Sequence, residues 1–587
     1  MRMSVGKLDA GRKDISLGRI ADILFCTTKH AKRVLKRYEQ MSLLNYIPGK
    51  GRGHTSALYF CNSIEMDIDH YMEGLLEEGK MEEAMMMAKS ALFSQGREII
   101  HNKLEAYLGF HTKEDSALDI LRIPVRRNLS SLDPVRVSVT TESHISRQIF
   151  DTLVLFNEYT SRIEPHLAHS WEYHPDLMKW TFYLRKGIYF HDGKQMTSQD
   201  VIYTFKRLAT KESVNKWLLE DIDDIYAHDG YTIIFQLKRK NVLFINYLAQ
   251  INACILPSHY QSNSFAIVGS GPYKVAKYTE NQLILEANHH YFKERAWLDR
   301  IEILFLPQAT DISLHYEVVN DQKSEPLMMK EVSLEQVGCR YIMFNFKKPK
   351  SLIGKDFYLR KALFELLDQQ AMAKELGGLR DTPSSSFFPE KSKRRIVAKS
   401  LERAASFLRK SGYRGETLTL YYLNKEESKG DAIWFQKRCE QAGILFTIYP
   451  FDILDYSLSE LENEADLLMM GEVFNQDFEI SFLSVFKNEV CFINRFMADK
   501  QLSIIYKNLE RMLESDSREK RYLYMDTIED YLNDECLMLF NYHPFYVKQH
   551  SESLEGLEIN AFGWPDFRSI WVKPNDMQSE GKVISTG

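Results

Sequence analysis

The chain has 587 residues but only seven cysteines, at 26, 61, 254, 339, 439, 491 and 536. They are odd in number, scattered and form no Cys-x-x-Cys, which excludes a disulfide framework or zinc ribbon and fits a reducing compartment. No apolar run approaches the roughly 20 residues that cross a bilayer. The first 26 residues hold neither the apolar core of a secretory signal nor a lipobox cysteine. A cytoplasmic protein with no membrane partner is expected. Also missing are a phosphate-binding Gly-x-x-x-x-Gly-Lys-Ser/Thr loop, a Gly-x-Ser-x-Gly elbow and a His-Glu-x-x-His helix. His166, His169 and His174 lie close in sequence, but a loop accounts for them better than a metal, and His289 and His290 suit a surface. No enzyme, no cofactor and no metal are expected.

What is present is an uneven charge. Residues 1–60 carry 12 Lys and Arg against 4 Asp and Glu, whereas the whole chain is −6. A small cationic head on a large anionic body suits a nucleic-acid reader joined to a sensor or effector. Within the head, residues 17–26 (LGRIADILFC) place Leu17, Ile20, Ala21, Leu24 and Phe25 at helical spacing. Thr27 and Thr28 then offer a hydroxyl cap. Residues 29–41 (KHAKRVLKRYEQM) follow, with Ala31, Val34, Leu35 and Tyr38 as an apolar stripe. Lys29, Lys32, Arg33, Lys36 and Arg37 are left facing outward. Two β-prone runs, 43–47 and 57–60, flank the glycine-rich tip PGKGRGH, a hairpin signal. A solvated basic face would explain any one of these elements alone. In this order they predict a helix-turn-helix with a basic wing, in which cations neutralise phosphates and one or two read base edges. Double-stranded DNA is the expected partner. The candidate contacts are Thr28, Lys29, His30, Lys32, Arg33, Lys36 and Arg37, with Lys50 and Arg52 on the wing.

The run from Leu24 to Phe60 resembles the N-terminal winged-helix domain of SgrR-like transcriptional regulators. In that family a Leu-x-Cys-Ser-x-x-His-x-x-x-Leu-Leu core leads to a Gly-Arg-Gly wing, and Cys26, His30, Leu35 and Gly51-Arg52-Gly53 occupy those positions. The family has a further helix before the helix-turn-helix. Here residues 1–14 precede it, and Gly6 and Gly11 disfavour a helix. Either a late start removes that helix or the domain closes differently.

Residues 61–119 read as a helical connector, with three apolar stripes: Ile68, Tyr71, Met72, Leu75 and Leu76; then Met81, Ala84, Met85, Ala88 and Leu92; then Ile99, Ile100, Leu104, Tyr107 and Leu108. Gly79 and Gly96 mark the breaks. Core filling is the commoner use of methionines such as 85–87. The connector is also a candidate contact in a homodimer.

From residue 120 to 575 short β-prone and helical runs alternate, as in an α/β protein. Residues 180–185 alternate as a strand, 186–187 and 191–193 are turns, and 197–200 (TSQD) cap a helix. Their order is the informative part: Leu132-Asp133-Pro134, then PHLAHSW at 165–171, then WTFYLRKGIYFHDGKQMTSQDV at 180–201. GSGPY at 269–273, Asn288 to Phe292, Phe344-Asn345-Phe346 and Arg360-Lys361-Ala362 follow. The series resembles the family 5 extracellular solute-binding proteins, the oligopeptide and dipeptide receptors of ABC transporters. The resemblance implies a periplasmic-binding-protein-like bilobal α/β body of class II type with an extra subdomain, hinged around a ligand, and a small-molecule solute as partner. The whole would be an α/β multidomain chain: a winged helix at 1–60, the connector at 61–119, the body at 120–575 and a tail at 576–587. Peptide-binding members hold the ligand amine with acids. Those acid positions correspond here to Ser138 and, after Gly471, to Asn475, with Glu472 at the position of the family's tryptophan and Asp477 two residues beyond Asn475; all four are candidate ligand contacts. The peptide clasp is not reproduced. The combination implies a ligand-responsive transcriptional regulator, with an ABC-transporter receptor as the alternative and a scaffold without ligand as a third reading.

Overall fold

The computed structural model describes residues 10–573 apart from 50–54, 90–96, 114–117, 126, 159, 211–212, 214, 262–266, 307–328, 379, 381, 396–397, 453–457, 476, 552–553 and 561. Lys50, Arg52 and the tail therefore lie outside the described residues. The chain packs as two compact units. One comprises Met1–Asn128, Ala276–Glu286 and Leu298–Met328; the other comprises Leu129–Val275, Ala287–Trp297 and Met329–Gly587.

The first unit begins with strand β1 (Gly11–Ile15), helices α1 (Leu17–Ile23) and α2 (Thr28–Gln40), and strands β2 (Leu44–Ile47) and β3 (Ser56–Phe60). β3 is central, antiparallel to both β1 and β2. Ile20, Ala31, Leu35, Leu44, Leu58 and Phe60 form the small core under the sheet. Helix α1 stops three residues short of the predicted end. Phe25 takes φ +49, and its N–H and that of Cys26 donate to Asp22 O and Ala21 O at 3.1 and 3.0 Å. This is the left-handed helix termination usually given to glycine. The reversal sends Phe25 outward, 96% exposed, instead of onto the predicted apolar face.

The connector forms the three predicted helices, Ile64–Glu77, Met81–Lys89 and Arg97–Tyr107. Gly79, at φ +67, ends the first with the same hydrogen-bond pattern that Phe25 makes. Met72, Met85, Ile100 and Leu104 are buried and close on Leu304 and Leu306, 200 or more positions away in the sequence. Met87 is buried as well, whereas Met86 and Tyr71 face solvent; Tyr71 thus leaves its predicted stripe. Strands 282–287, 300–305, 118–125 and 109–113 hydrogen-bond in that order within a five-stranded sheet. There Arg122 donates to Glu302 at 2.8 Å with both side chains buried, and its guanidinium lies 4.0 Å from the Tyr107 ring centre.

The second unit carries the sequence motifs as packing devices. Asp133 of Leu-Asp-Pro accepts two hydrogen bonds from Arg207, at 2.9 and 2.6 Å. Asp200 accepts from Thr197 N at 2.8 Å and opens the helix Ser198–Leu208. Gly269 and Gly271 pass so close to Ile149 that a Cβ at Gly269 would sit 2.0 Å from its carbonyl oxygen. A four-stranded antiparallel sheet runs 222–229, 232–237, 179–184, 168–174. A mixed five-stranded sheet runs 446–451, 418–423, 467–473, 338–344, 538–540, with parallel pairing between the first two strands and between 418–423 and 467–473. One continuous apolar core includes Phe182, Phe235, Tyr341, Phe387, Phe474 and Phe482.

Candidate functional sites

On the head, the sequence of α2 splits into a buried row and an open one. Ala31 and Leu35 are fully buried; Thr28, Lys29, His30, Lys32, Arg33, Lys36 and Arg37 are all exposed. Thr27 caps the helix, its hydroxyl accepting from His30 N at 3.3 Å. At the other end Glu39 accepts from Tyr46 N at 2.7 Å, which ties α2 to β2. Tyr46 and Ser56 then bond at 3.0 Å across the two strands that lead to the wing. Among the described residues none of Lys29, Lys32, Arg33, Lys36 and Arg37 takes part in an ion pair, so five cations stand ready for an external polyanion.

In the second unit a cleft of about 200 Å³ is lined by residues from five stretches, including Phe156, Ile163, Leu243, Asn246, Asp477, Phe478, Glu479, Arg518 and Arg521. Asp477 precedes the helix Phe478–Lys487. One of its carboxylate oxygens accepts from Ile480 N at 3.3 Å, the other from Asn246 Nδ2 at 2.8 Å. Burial pushes its carboxyl up to about 7, against the lowering effect of these two hydrogen bonds. Of the four residues named from sequence for the ligand, Asp477 lines this cleft and the other three do not. Glu472 sits in the strand Leu467–Val473 and accepts from Tyr341 OH at 3.2 Å and Cys491 Sγ at 3.5 Å; desolvation raises its pKa. Asn475 is bonded to Ser481, at 2.9 and 3.1 Å. Ser138 is exposed just ahead of the helix Thr140–Ile149. The sequence reading missed Asn246, Glu479, Arg518 and Arg521, which carry no spacing signal because they lie on elements up to 275 positions apart.

Of the histidines singled out in the sequence, His166 is structural. His166 is buried and donates through Nε2 to Asp151 at 2.8 Å, and Asp151 also accepts from Ser270 and Tyr291. Desolvation lowers the pKa of His166, while the nearby imidazole and the hydrogen bonds from His166, Ser270 and Tyr291 hold Asp151 below its usual range despite burial. His289 and His290 are exposed. Among the described residues no three His, Cys, Asp or Glu side chains group as metal ligands, and no helix is long and apolar enough to cross a membrane.

A winged-helix head followed by an α/β body with a polar cleft defines a class of protein in which a helix-turn-helix domain is fused to a binding-protein fold. Family comparison makes this specific. Residues 162–490 match the bacterial extracellular solute-binding proteins, family 5, and residues 3–115 match the N-terminal domain of the sugar transport-related sRNA regulator. The chain belongs to the family 5 solute-binding proteins and carries an SgrR-type N-terminal domain. It is 31% identical to YhjP of Bacillus subtilis over 95% of this chain and 96% of that one. It is 25% identical to the HTH-type transcriptional regulator SgrR of Escherichia coli, over 96% of each chain. Among solved structures, a dipeptide-binding protein of Pseudoalteromonas in complex with Met-Leu superposes with TM-score 0.65 at 17% identity, covering 77% of this chain and all of that one. NikZ of Campylobacter jejuni in complex with Ni(L-His) gives 0.63 at 18%, over 76% and 97%. The architecture is that of an SgrR-like transcriptional regulator, and the families matched are regulators and binding proteins.

Proposed function

We propose that this chain is a cytoplasmic, ligand-responsive regulator whose winged helix binds an operator in double-stranded DNA and whose body senses a small solute. The observation that carries the reading is the open row of α2: five cations that form no ion pair among the described residues, on a capped helix held against a hairpin. Such a face serves a major groove, with Lys32, Arg33 and Lys36 on phosphates or base edges. Solute closing on the body then changes operator affinity. Linkage requires DNA to change solute affinity by the same factor, typically about 5–150-fold. The regulated genes would serve transport or metabolism of that solute, and no covalent chemistry is assigned to the chain.

The test is a salt titration of the full-length protein on the DNA upstream of its own gene, against random DNA. Selective binding with a steep log–log slope is expected. Weak binding that does not discriminate between the two DNAs would overturn the regulator and favour a receptor that feeds an importer.

A further inference from the structure

Helix α1 ends at a left-handed residue, and that residue is Phe25. The same reversal closes two other helices of the first unit. At Gly79, the N–H groups of Gly79 and Lys80 donate to Leu76 O and Leu75 O at 3.1 and 2.8 Å. At Ser42, which ends α2, those of Ser42 and Leu43 donate to Glu39 O and Tyr38 O, each at 3.0 Å. Phe25 and Cys26 make the equivalent bonds at 3.1 and 3.0 Å. The backbone geometry therefore suits glycine or a small polar residue, and a phenylalanine is strained there by its own Cβ.

Strain of this kind persists where something holds the side chain in place. Among the described residues the other apolar side chains at positive φ are held by packing. Cys536 is buried in one apolar cluster, and Met178 packs against another. Phe25 is 96% exposed and joins neither the core of the head nor the side chains packed against it. The next most exposed phenylalanine among the described residues, Phe357, is 36% exposed. The packing of the head thus does not account for the ring. Its place in the chain does. Thr27, two residues on, caps α2, and Thr28, Lys29 and His30 follow in an exposed first turn. In a helix-turn-helix this end of the second helix enters the major groove. The thymine 5-methyl group is the apolar feature displayed there, and phenylalanine is among the side chains that read it.

We propose that Phe25 is a specificity contact: with α2 in the groove, its ring covers the 5-methyl group of an operator thymine. The inference rests on the reading of the head as an operator reader and adds a contact of another kind. The cations of α2 answer to salt, whereas the ring answers to one methyl group. Its left-handed backbone is what keeps the ring out of the head's own core.

Footprinting of the full-length protein on the DNA upstream of its own gene defines the bound stretch. Its thymines are then replaced one at a time by deoxyuridine, which removes only the methyl group. At least one replacement should weaken the parent about fourfold, the worth of one buried methyl, and should leave binding by Phe25→Gly unchanged. On unmodified DNA, Phe25→Gly should bind about fivefold or more weakly at an unchanged log–log salt slope, because the ring neutralises no phosphate. Phe25→Tyr keeps the ring and should keep the affinity. Glycine makes the same turn at position 79, so Phe25→Gly should melt no lower than the parent. Indifference of the parent to every deoxyuridine, or of DNA affinity to Phe25→Gly, overturns the proposal and leaves the regulator reading intact. A loss accompanied by a shallower slope also overturns it, because α2 itself would then have shifted. So does a change of oligomeric state without a change in DNA affinity, which would assign the ring to a second copy of the chain. Parent protein that does not discriminate the upstream DNA from random DNA is the separate result that removes the regulator reading and this contact with it.

Discussion

The two candidate sites differ in how the chain builds them. The row proposed to face DNA lies on one 13-residue helix, is exposed throughout and, among the described residues, forms no ion pair. The cleft draws on residues from Phe156 to Arg521, several of them buried, and its charges are already partly spent on one another. A surface for a polyanion needs density of one charge in a short stretch. A pocket for a small solute needs unlike groups converging from different elements, with water excluded. The first is a local property and the second is not.

The contrast can be broken most severely at a position that serves only the body. In Gly269→Ala the new methyl would meet the Ile149 carbonyl at 2.0 Å, with Phe150 beside it, so the backbone must shift. We expect a loss of more than about 3 kcal/mol, read as early melting of the body in calorimetry, with the DNA affinity proposed for the α2 face unchanged. An unchanged melting profile would show that the close approach is not required.

The head is tested by removing charge without disturbing packing. Replacing Lys32, Arg33 and Lys36 together with Ala should lower the log–log salt slope of DNA binding by about 2.7 if each residue neutralises one phosphate. The melting profile of the body should stay the same. A slope that does not move takes those residues out of the interface.

A smaller effect comes from pH. Asp477 has a folded pKa of about 7 against an ordinary 3.8, so the folded state binds this proton more tightly than the unfolded one. Its contribution to stability is therefore fully present below about pH 4 and is lost as pH rises towards 7. The upper bound is about 4 kcal/mol, reduced by local relaxation. Asp477→Asn, with the Asn246 amide turned to suit it, should match the parent's melting temperature at pH 4.5 and exceed it at pH 8. Equal melting at both values would mean that the carboxyl ionises freely in the folded protein.

The smallest expected change is at the helix cap. Thr27→Ala leaves the His30 N–H without its side-chain acceptor and should cost about 1 kcal/mol. It should be visible as faster hydrogen exchange in the first turn of α2 with little change in the body.

What the sequence by itself determined was whatever depends on neighbours along the chain. The cap at Thr27, the buried Ala31 and Leu35 with cations between them, the break at Gly79 and the Thr197–Asp200 helix start are all set within a few residues, and all were legible. Phe25 marks the edge of that legibility. Helical spacing put it on the apolar face, but the chain needed a left-handed residue there to enter α2, and that reversal turned the ring to solvent. Tertiary structure alone decided the rest. Asp133 needs Arg207, the connector needs Leu304 and Leu306, and Asp477 needs Asn246, 231 positions away. Counting on from Gly471 puts Asn475 at the acid position and Glu472 at the tryptophan position, yet these serve Ser481, Tyr341 and Cys491, and the residue that lines the cleft is Asp477, two further on. Periodicity reports which face of an element is buried. Which charges stay unpaired once the elements have packed depends on distances through space, and no spacing along the chain carries them.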